Sequence, residues 1–323
     1  MTDSTPGTFT PLEVTLAEAL ADGIHAFEFR SPDGGELPAF TAGAHVELRV
    51  PNGMLRKYSL SNDPAERDRY VIAVKREAGG RGGSASLIDE TRVGDRPDVQ
   101  LPPRNDFPLA ARVNQHIFIA GGIGITPIMA MVRHLKSSGE GKFKLYYLNR
   151  NPAVTAFRDE LAAPEFRGQV VFHYDEGDPD KAFDLWPILE RPGTAHVYCC
   201  GPRPLLEAVR DMSGHWSTSA VHFESFLDAE ATHLVDDQPF RVRLAQTGGV
   251  VEVGKDESIL DALRAHGLEV PSSCESGTCG TCRTRLLAGD VDHRDFVLGD
   301  DEHDTDIMIC VSRARSAEIE IDR

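Results

Sequence analysis

The chain has 323 residues, 41% of them hydrophobic, which allows two or three domains of ordinary globular composition. The formal net charge of −17, without any basic block, argues against nucleic acid and anionic membrane surfaces as partners. No apolar run approaches the roughly 18 residues that a membrane helix requires, and the N-terminus Met1-Thr2-Asp3-Ser4 lacks a basic-then-apolar signal pattern, so we expect a cytoplasmic protein.

Residues 1–108 predict an antiparallel β-barrel. Strand candidates include His45–Val50, Leu55–Leu60 and Tyr70–Lys75, and turn signals such as Pro51-Asn52-Gly53 separate them. Several strands at such short spacing are typical of a barrel.

Two motifs of this domain could bind a ligand. Arg56-Lys57-Tyr58-Ser59-Leu60 lies on a predicted strand, where alternation places Arg56, Tyr58 and Leu60 on one face. Taken alone, this motif is more simply an exposed strand with one buried tyrosine. Gly79-Gly80-Arg81-Gly82-Gly83-Ser84 precedes the helix-like Ala85–Thr91. A glycine-rich turn at a helix N-terminus binds anions, although many such loops are plain turns.

Residues 109–227 predict an α/β domain with a parallel sheet, because strand-like and helix-like segments alternate. The candidates in chain order are the apolar run Ile117–Ala120, a helix with Pro127 at its first position and Gly139 at its end, a strand Lys144–Leu148, a helix Thr155–Ala163, a strand Val170–Tyr174, a strand His196–Cys199, a helix from about Pro202 or Pro204, and a strand Val221–Phe226.

A glycine-rich motif of this domain predicts a dinucleotide site. Gly121-Gly122-Ile123-Gly124-Ile125-Thr126-Pro127 lies between a strand and a helix, at the crevice where doubly wound sheets bind dinucleotides. The motif departs from the usual pattern, since Pro127 stands at the third glycine position. No acidic residue ends the next strand, where Leu148-Asn149-Arg150-Asn151 is found, and Arg150 could favour a 2′-phosphate.

A second segment of the domain, Cys199-Cys200-Gly201-Pro202, ends a later strand. Cys200 could lie beside a nicotinamide, whereas a buried strand-end cysteine is the simpler interpretation of Cys199.

Residues 228–238 are acidic and aperiodic and predict a linker, and residues 239–323 predict a third domain. Its elements are a hairpin-like pair of strands and a capped helix. They comprise Arg241–Leu244, Val250–Val253 and a helix that begins after Ser258 and stops at Gly267.

The cysteine spacing of the third domain is the most specific motif of the chain. It reads Cys-x4-Cys-x2-Cys with a distant fourth cysteine, which is the plant-type [2Fe-2S] arrangement, and each iron needs two thiolates. The predicted ligands are Cys274, Cys279, Cys282 and Cys310. Gly277 and Gly280 permit the unusual φ angles of a loop that curls round a cluster. Zinc is the rival metal, but structural zinc sites usually show two short Cys-x2-Cys pairs. Disulfides are a second rival, without any sign of secretion.

Taken in order, these motifs resemble the phthalate dioxygenase reductase family, which includes the vanillate demethylase reductases. The set Arg-x-Tyr-Ser, Gly-Arg-Gly-Gly-Ser, Gly-Gly-Ile-Gly-Ile-Thr-Pro, Cys-Gly-Pro and Cys-x4-Cys-x2-Cys extends over essentially the whole chain. The resemblance implies a multidomain fold: an FMN-binding antiparallel β-barrel (1–108), a Rossmann-like α/β domain that binds NADH (109–227) and an α+β plant-type ferredoxin domain (239–323).

The resemblance also implies residue roles. The flavin is assigned to Arg56, Tyr58 and Ser59, its ring edge to Ala73, Val74 and Lys75, and its phosphate to Gly82, Gly83 and Ser84. The nucleotide is assigned to Gly121, Gly122, Gly124, Thr126 and Cys200, and Glu224 and Phe226 are expected to close over the flavin. The expected catalytic residues are Thr126, Cys200 and Glu224.

The implied function is electron transfer. A hydride from NADH reduces FMN, and single electrons then pass through the [2Fe-2S] cluster to a Rieske-type aromatic oxygenase or demethylase. We expect NADH rather than NADPH, FMN rather than FAD, and a monomer. Two alternatives stay open: a self-contained flavin reductase or oxidase without a protein acceptor, and a flavin-free carrier protein with a ferredoxin tether.

The third domain is acidic, with 17 Asp and Glu against 10 Lys and Arg in residues 239–323. Asp300-Asp301-Glu302-His303-Asp304-Thr305-Asp306 concentrates this charge shortly before Cys310. Such a run is more simply a solvated loop. The sharper hypothesis is a docking face for a basic patch on the oxygenase.

Overall fold

The computed structural model describes residues 7–77, 81–226 and 236–323. Gly79 and Gly80 of the predicted anion loop, and most of the predicted linker, lie outside the described residues. The chain divides into two compact units, Met1–His215 and Trp216–Arg323. None of the helices in the described part is long and apolar enough to cross a membrane.

The first part of the first unit consists of two antiparallel sheets around one apolar core. Its elements are β1 Thr8–Pro11, β2 Glu13–Ala21, β3 Ile24–Arg30, β4 His45–Arg49, β5 Leu55–Ser59, β6 Tyr70–Lys75, α1 Gly83–Glu90 and β7 Asp98–Leu101. The strand orders are β1-β7-β4-β5 and β2-β3-β6. An isolated bridge between Leu60 and Ile72 joins the sheets, and Phe27, Phe29 and Leu48 fill the core. The predicted antiparallel barrel is confirmed.

The rest of the first unit is an α/β domain. Its elements are β8 Gln115–Gly121, α2 Ile125–Ser138, β9 Lys142–Asn149, α3 Arg158–Leu161, β10 Val170–Tyr174, α4 Trp186–Leu189, β11 His196–Cys200 and α5 Arg203–Met212. Short 3-10 turns occupy Gly122–Gly124, Pro152–Val154, Pro164–Phe166 and Pro179–Lys181. The strands pair in parallel in the order β10-β9-β8-β11. The carboxyl ends of β8 and β11 therefore meet at one edge, as the sequence predicts.

Helix α2 begins two residues earlier than predicted, at Ile125 rather than Pro127. The first N–H groups of a helix have no intrahelical partner, so proline fits anywhere in the first turn. The end of the helix is as predicted, since Gly139 caps it with a φ of 71°.

The predicted helix Thr155–Ala163 is wrong in length, because only Arg158–Leu161 is helical. The Asn151 side chain caps the preceding 3-10 turn, and the Thr155 hydroxyl donates to the Asn151 carbonyl at 2.8 Å. Phe157 then adopts a φ of 57°. These local contacts hold the first residues of the predicted helix in a turn.

The second unit contains a mixed sheet covered by one helix. Its elements are the 3-10 turn Thr218–Ala220, β12 Val221–Glu224, β13 Phe240–Leu244, β14 Val250–Val253, α6 Ile259–Ala265, β15 Arg283–Ala288, β16 Val291–Asp292, β17 Asp306–Met308, β18 Arg313–Ala314 and β19 Glu318–Ile321. Strands β14-β13-β19-β15-β17 form the sheet. Ser258 caps α6 through a capping box with Asp261, as the sequence predicts in part. Strand β12 ends two residues short of the predicted Phe226.

Candidate functional site

An anion cradle lies at the N-terminus of α1. Gly82 is the N-cap residue, with a φ of 86°, and no described side chain caps this end of the helix. A Cβ atom at Gly83 would lie 2.7 Å from Arg56 Nε, so the glycine leaves room for the arginine above the first turn. The Ser84 hydroxyl accepts a hydrogen bond from the Glu77 backbone at 3.0 Å, and its O–H proton can still be donated.

Arg56 is the charged member of this cradle. Its guanidinium donates to the Leu55 carbonyl at 2.8 Å and contacts the Met54 sulfur at 3.2 Å. None of the described carboxylates pairs with it, in contrast to Arg49, which approaches Asp98. A guanidinium without an acidic partner, placed beside a helix N-terminus, suits a phosphate dianion.

Strand β6 lies where the barrel and the α/β domain share apolar contacts. Val74 packs into the barrel core, whereas Ala73 packs into a second core that also contains Ile125 and Cys200. Lys75 is exposed and pairs with Glu77 at 2.8 Å. On β5, Tyr58 is half-buried and Ser59 is buried. The predicted flavin residues and the predicted nucleotide residues thus approach each other at β6.

The nucleotide loop is built on close backbone contact between the ends of β8 and β11. A Cβ atom at Gly121 would lie 2.7 Å from the Pro202 ring. A Cβ atom at Gly124 would collide with the Cys200 carbonyl. Gly122 has a φ of 54°. The loop requires glycine both because the two backbones pass close to each other and because Gly122 has a positive φ angle. The N-terminus of α2 follows this loop at the sheet edge where a pyrophosphate would bind.

Thr126 and Cys200 are both buried beside this loop. The Thr126 hydroxyl donates to the Ile123 carbonyl at 3.1 Å, which fixes the first turn of α2. Burial raises the pKa of the neighbouring Cys199 thiol, so Cys199 is neutral and inert.

Sequence reasoning missed Asn149 as a candidate residue. It ends β9 with only 6% of its surface exposed, and its amide lies beside the buried Tyr147 hydroxyl. The signal was available, because Phe143, Leu145 and Tyr147 alternate towards the interior and place Asn149 on the same face. A buried amide at the end of β9, on the edge of the sheet where dinucleotides bind, is a candidate ligand contact.

The four cysteines of the second unit form two pairs. The Cys279 side chain beside Cys274 lowers the pKa of the Cys274 thiol, and the pKa of the Cys279 thiol rises in turn. The Cys310 thiol likewise lowers the pKa of Cys282, and the pKa of Cys310 itself rises. The charge of Cys274 raises the pKa of both Cys282 and Cys310, so the two pairs share one site.

The pairing of the thiols bears on which metal centre the four cysteines can hold. A structural zinc ion needs four ligands around one point, whereas a [2Fe-2S] cluster takes two thiolates on each iron. The donor set therefore fits the cluster.

The loop around the cysteines supplies hydrogen-bond donors to sulfur. The backbone N–H groups of Ser276 and Thr278 each lie 3.4 Å from the Cys274 sulfur. Gly277 and Gly280 adopt φ angles of 75° and 83°, which confirms the predicted need for glycine. Such N–H groups stabilise thiolate charge.

The remaining predicted residues lie in the second unit. Glu224 is buried at the end of β12, and Phe226 keeps 45% of its surface exposed. In the acidic run, Glu302 pairs with Arg283 at 2.8 Å and accepts from the Gly299 N–H. Asp306 also pairs with Arg283, which lowers the pKa of its carboxyl.

Comparisons with known proteins agree with this geometry. An oxidoreductase NAD-binding domain matches residues 118–211, and a 2Fe-2S iron-sulfur cluster binding domain matches residues 242–315. The phthalate 4,5-dioxygenase oxygenase reductase subunit of Pseudomonas putida is 55% identical over 97% of this chain and 97% of its own. The chain belongs to the phthalate dioxygenase reductase family.

Two further comparisons extend over the whole length. A vanillate O-demethylase oxidoreductase of Pseudomonas sp. (strain HR199 / DSM 7063) is 39% identical over 96% of this chain and 98% of its own. A solved structure of phthalate dioxygenase reductase, described as a modular structure for electron transfer from pyridine nucleotides to [2Fe-2S], is 52% identical over 98% of both chains, with a TM-score of 0.71.

Membership of the phthalate dioxygenase reductase family confirms the predicted fold class and cofactors. The chain is an NADH-dependent oxidoreductase that carries FMN and a [2Fe-2S] cluster. The flavin-free carrier alternative is set aside, because the match includes the barrel as well as the other two domains.

Proposed function

We propose that this chain is the cytoplasmic, monomeric reductase component of a Rieske-type aromatic oxygenase or demethylase system. The observation that carries the proposal is the full-length match to a reductase subunit of phthalate 4,5-dioxygenase. The paired thiols support it, because a centre that passes one electron at a time suits a separate protein acceptor.

The proposed domains are the FMN-binding barrel 1–108, the NAD-binding domain 109–227, the linker 228–238 and the ferredoxin domain 239–323. The two matching family models fall inside the second and last of these ranges. At the end of the linker range, Asp237 receives two hydrogen bonds from Arg294, and the Gln238 carbonyl receives one from Arg313.

In the barrel, Arg56 binds the flavin phosphate together with the N–H groups of Gly82, Gly83 and Ser84. Within the part of the chain that the structure describes, the guanidinium has no carboxylate partner and no side chain caps α1, which supports this role. The flavin ring lies along β6, where Ala73, Val74 and Lys75 form its edge, with Tyr58 packed on the ring and Ser59 in polar contact.

In the α/β domain, Gly121, Gly122 and Gly124 let the pyrophosphate approach the backbone, and Thr126 and Cys200 orient the nicotinamide. When bound, the flavin supplies the conversion of a two-electron donor into single electrons. The Thr126 and Cys200 side chains are themselves shielded from water, at 2% and 0% exposed. Glu224 and Phe226 close over the flavin.

In the ferredoxin domain, Cys274, Cys279, Cys282 and Cys310 hold the cluster. Cys282 and Cys310 are 2% and 1% exposed, whereas Cys274 and Cys279 are half-buried. The pair Cys274 and Cys279 is thus the more accessible side of the cluster.

The decisive experiment replaces each ligand by serine in the full-length loaded protein. We expect Cys310→Ser to lose the low-temperature EPR signal and electron delivery to a purified Rieske oxygenase, because a hydroxyl is a poor substitute for thiolate. Anaerobic reduction of the flavin by NADH should survive. Cys199→Ala is the matched control, since that cysteine is buried and far from the cluster segment in sequence.

Two outcomes would contradict the proposal. If all four serine variants keep the wild-type EPR signal, the cluster assignment is wrong. If Cys310→Ser still reduces the acceptor at the wild-type rate, the cluster is dispensable and the self-contained reductase or oxidase is correct.

A further inference from the structure

Phe296 connects the cysteine loop with the strand that leads to the residues assigned to the flavin. Its ring packs against the Phe223 ring, with 5.3 Å between the centroids and 39° between the planes. Its backbone N–H donates to the Gly277 carbonyl at 2.9 Å. The Gly277 backbone N–H in turn donates a hydrogen bond to the Cys310 sulfur. Phe223 directly precedes Glu224, so one residue contacts both segments.

The stretch around Phe296 is held firmly. The buried Asp295 carboxylate accepts the backbone N–H groups of Val297 and Leu298 at 3.0 and 2.8 Å. Arg294 donates two hydrogen bonds to the Asp237 carboxylate, at 2.9 and 2.6 Å, and both side chains are only 6% exposed. Because these hydrogen bonds hold the backbone around Phe296 in place, the contact between the two rings also limits where Phe223 can lie.

The contact between the two phenylalanines is well placed to define a distance. Phe223 is buried, with 7% of its surface exposed, and Phe296 is half-buried. Aromatic pairs at this separation contribute to stability beyond simple burial of area. The Phe296 ring therefore packs β12 against the stretch that contacts the cysteine loop.

We propose that Phe296 is a positioning residue for electron transfer between the flavin and the cluster. It holds β12, and with it the residues assigned to the flavin, in register with the cysteine loop. The electron passes from the reduced flavin to a ferric ion of the cluster, and Phe296 neither forms nor breaks a bond. This inference rests on the proposed function of the same two cofactor sites.

The test is Phe296→Ala in the full-length protein loaded with both cofactors. Amide hydrogen exchange of residues 221–226 should increase, because β12 loses the ring that seats it. Electron transfer from flavin to cluster, followed by stopped-flow absorbance, should slow about three- to tenfold as the seated population falls. The EPR spectrum should stay unchanged, since the backbone N–H to Gly277 remains.

Two control variants separate positioning from general loosening. Val297→Ala truncates the next side chain of the same stretch and should leave exchange of residues 221–226 unchanged. Phe296→Tyr keeps the ring and should keep the wild-type rate of transfer. If Phe296→Ala does not assemble the cluster, Phe223→Leu removes the same ring contact from the other side and is measured in the same way.

The inference is overturned if removing either ring leaves both the exchange of residues 221–226 and the rate of transfer at wild-type values. Failure of the proposed function is distinct. In that case NADH would fail to reduce the flavin, or the wild-type cluster would stay oxidised, before any variant is compared.

Discussion

At the scale of single residues, Arg56 carries the clearest consequence for cofactor retention. Its guanidinium lies above the first turn of α1 without a carboxylate partner among the described residues. A charge-assisted hydrogen bond to a phosphate typically contributes about 1.5–3 kcal/mol. The side chain is therefore available to the ligand and is not part of the ion-pair network of the barrel.

Arg56→Ala should weaken FMN binding by roughly one to two decades in dissociation constant. Flavin fluorescence on serial dilution measures the change. Arg49→Ala is the matched control, because Arg49 lies on the neighbouring strand and pairs with Asp98 instead. Equal retention of FMN by the two variants would remove Arg56 from the phosphate site, and extraction of FAD from the native protein would overturn the FMN assignment.

Residue-level prediction from the sequence succeeded where the chemistry is local. Gly277 and Gly280 adopt the expected positive φ angles, and Ser258 caps its helix. It failed where a residue matters through a distant contact. Phe296 gives no sign in the sequence that it packs against Phe223, 73 positions earlier. The pairing of the four thiols is likewise a property of the folded loop, since spacing alone left zinc open.

At the scale of elements, the ends of β8 and β11 determine how a nucleotide can bind. The two strands are adjacent and parallel, so their following loops meet at one edge. Gly124 abuts the Cys200 carbonyl without room for a methyl group. The backbone contact between Gly124 and Cys200 therefore positions Thr126 and Cys200, the residues assigned to the nicotinamide.

Gly124→Ala should raise the KM for NADH by about tenfold or more, because the added methyl group separates the two loops. Steady-state kinetics with an artificial electron acceptor measure this step without the cluster. Gly139→Ala is the control at the other end of α2, where a φ of 71° costs about 1–2 kcal/mol of stability for any other residue. An unchanged KM in Gly124→Ala would move the nucleotide away from this loop.

The limits of prediction differ for elements. The strands that the sequence predicts agree with the structure within one or two residues at each end, since period-two alternation and bounding glycines are strong signals. The sequence predicts none of the strands that follow the cysteine segment, β15 to β19. The helix Thr155–Ala163 was overestimated, because side-chain caps from Asn151 compete with helix formation and a periodic pattern does not reveal them. The helix start at Pro127 was late because proline is tolerated throughout a first turn.

At the scale of the whole molecule, the net charge is −17, and the carboxylates that carry it differ in whether they form ion pairs or face solvent. In the acidic run, Glu302 and Asp306 are already paired with Arg283 and stabilise the loop. Three other carboxylates of the run face solvent: Asp300, Asp301 and Asp304. Asp300 lies 3.9 Å from the His303 ring nitrogen, which is a weak contact. Within the acidic run, these three exposed carboxylates are the members most available to a docking partner.

Replacement of Asp300, Asp301 and Asp304 by Asn should slow electron delivery to the oxygenase and flatten its dependence on ionic strength. The second-order rate at low salt measures the effect, and reduction of the flavin by NADH should not change. Glu36, Glu140 and Asp159 of the first unit offer a control with the same change in net charge. An identical rate in both triple variants would show that the acidic run is a solvated loop.

Strand β6 has a consequence for recombination between relatives. Because Ala73 and Val74 point into two different cores, the barrel contributes apolar surface to its neighbour, together with Ile24, Ala42 and Phe107. A fragment cut after residue 108 would expose that face to water and invite aggregation. Chimeric reductases with exchanged flavin specificity should therefore inherit the barrel and the α/β domain from one parent as a single block, with the crossover placed downstream of β12.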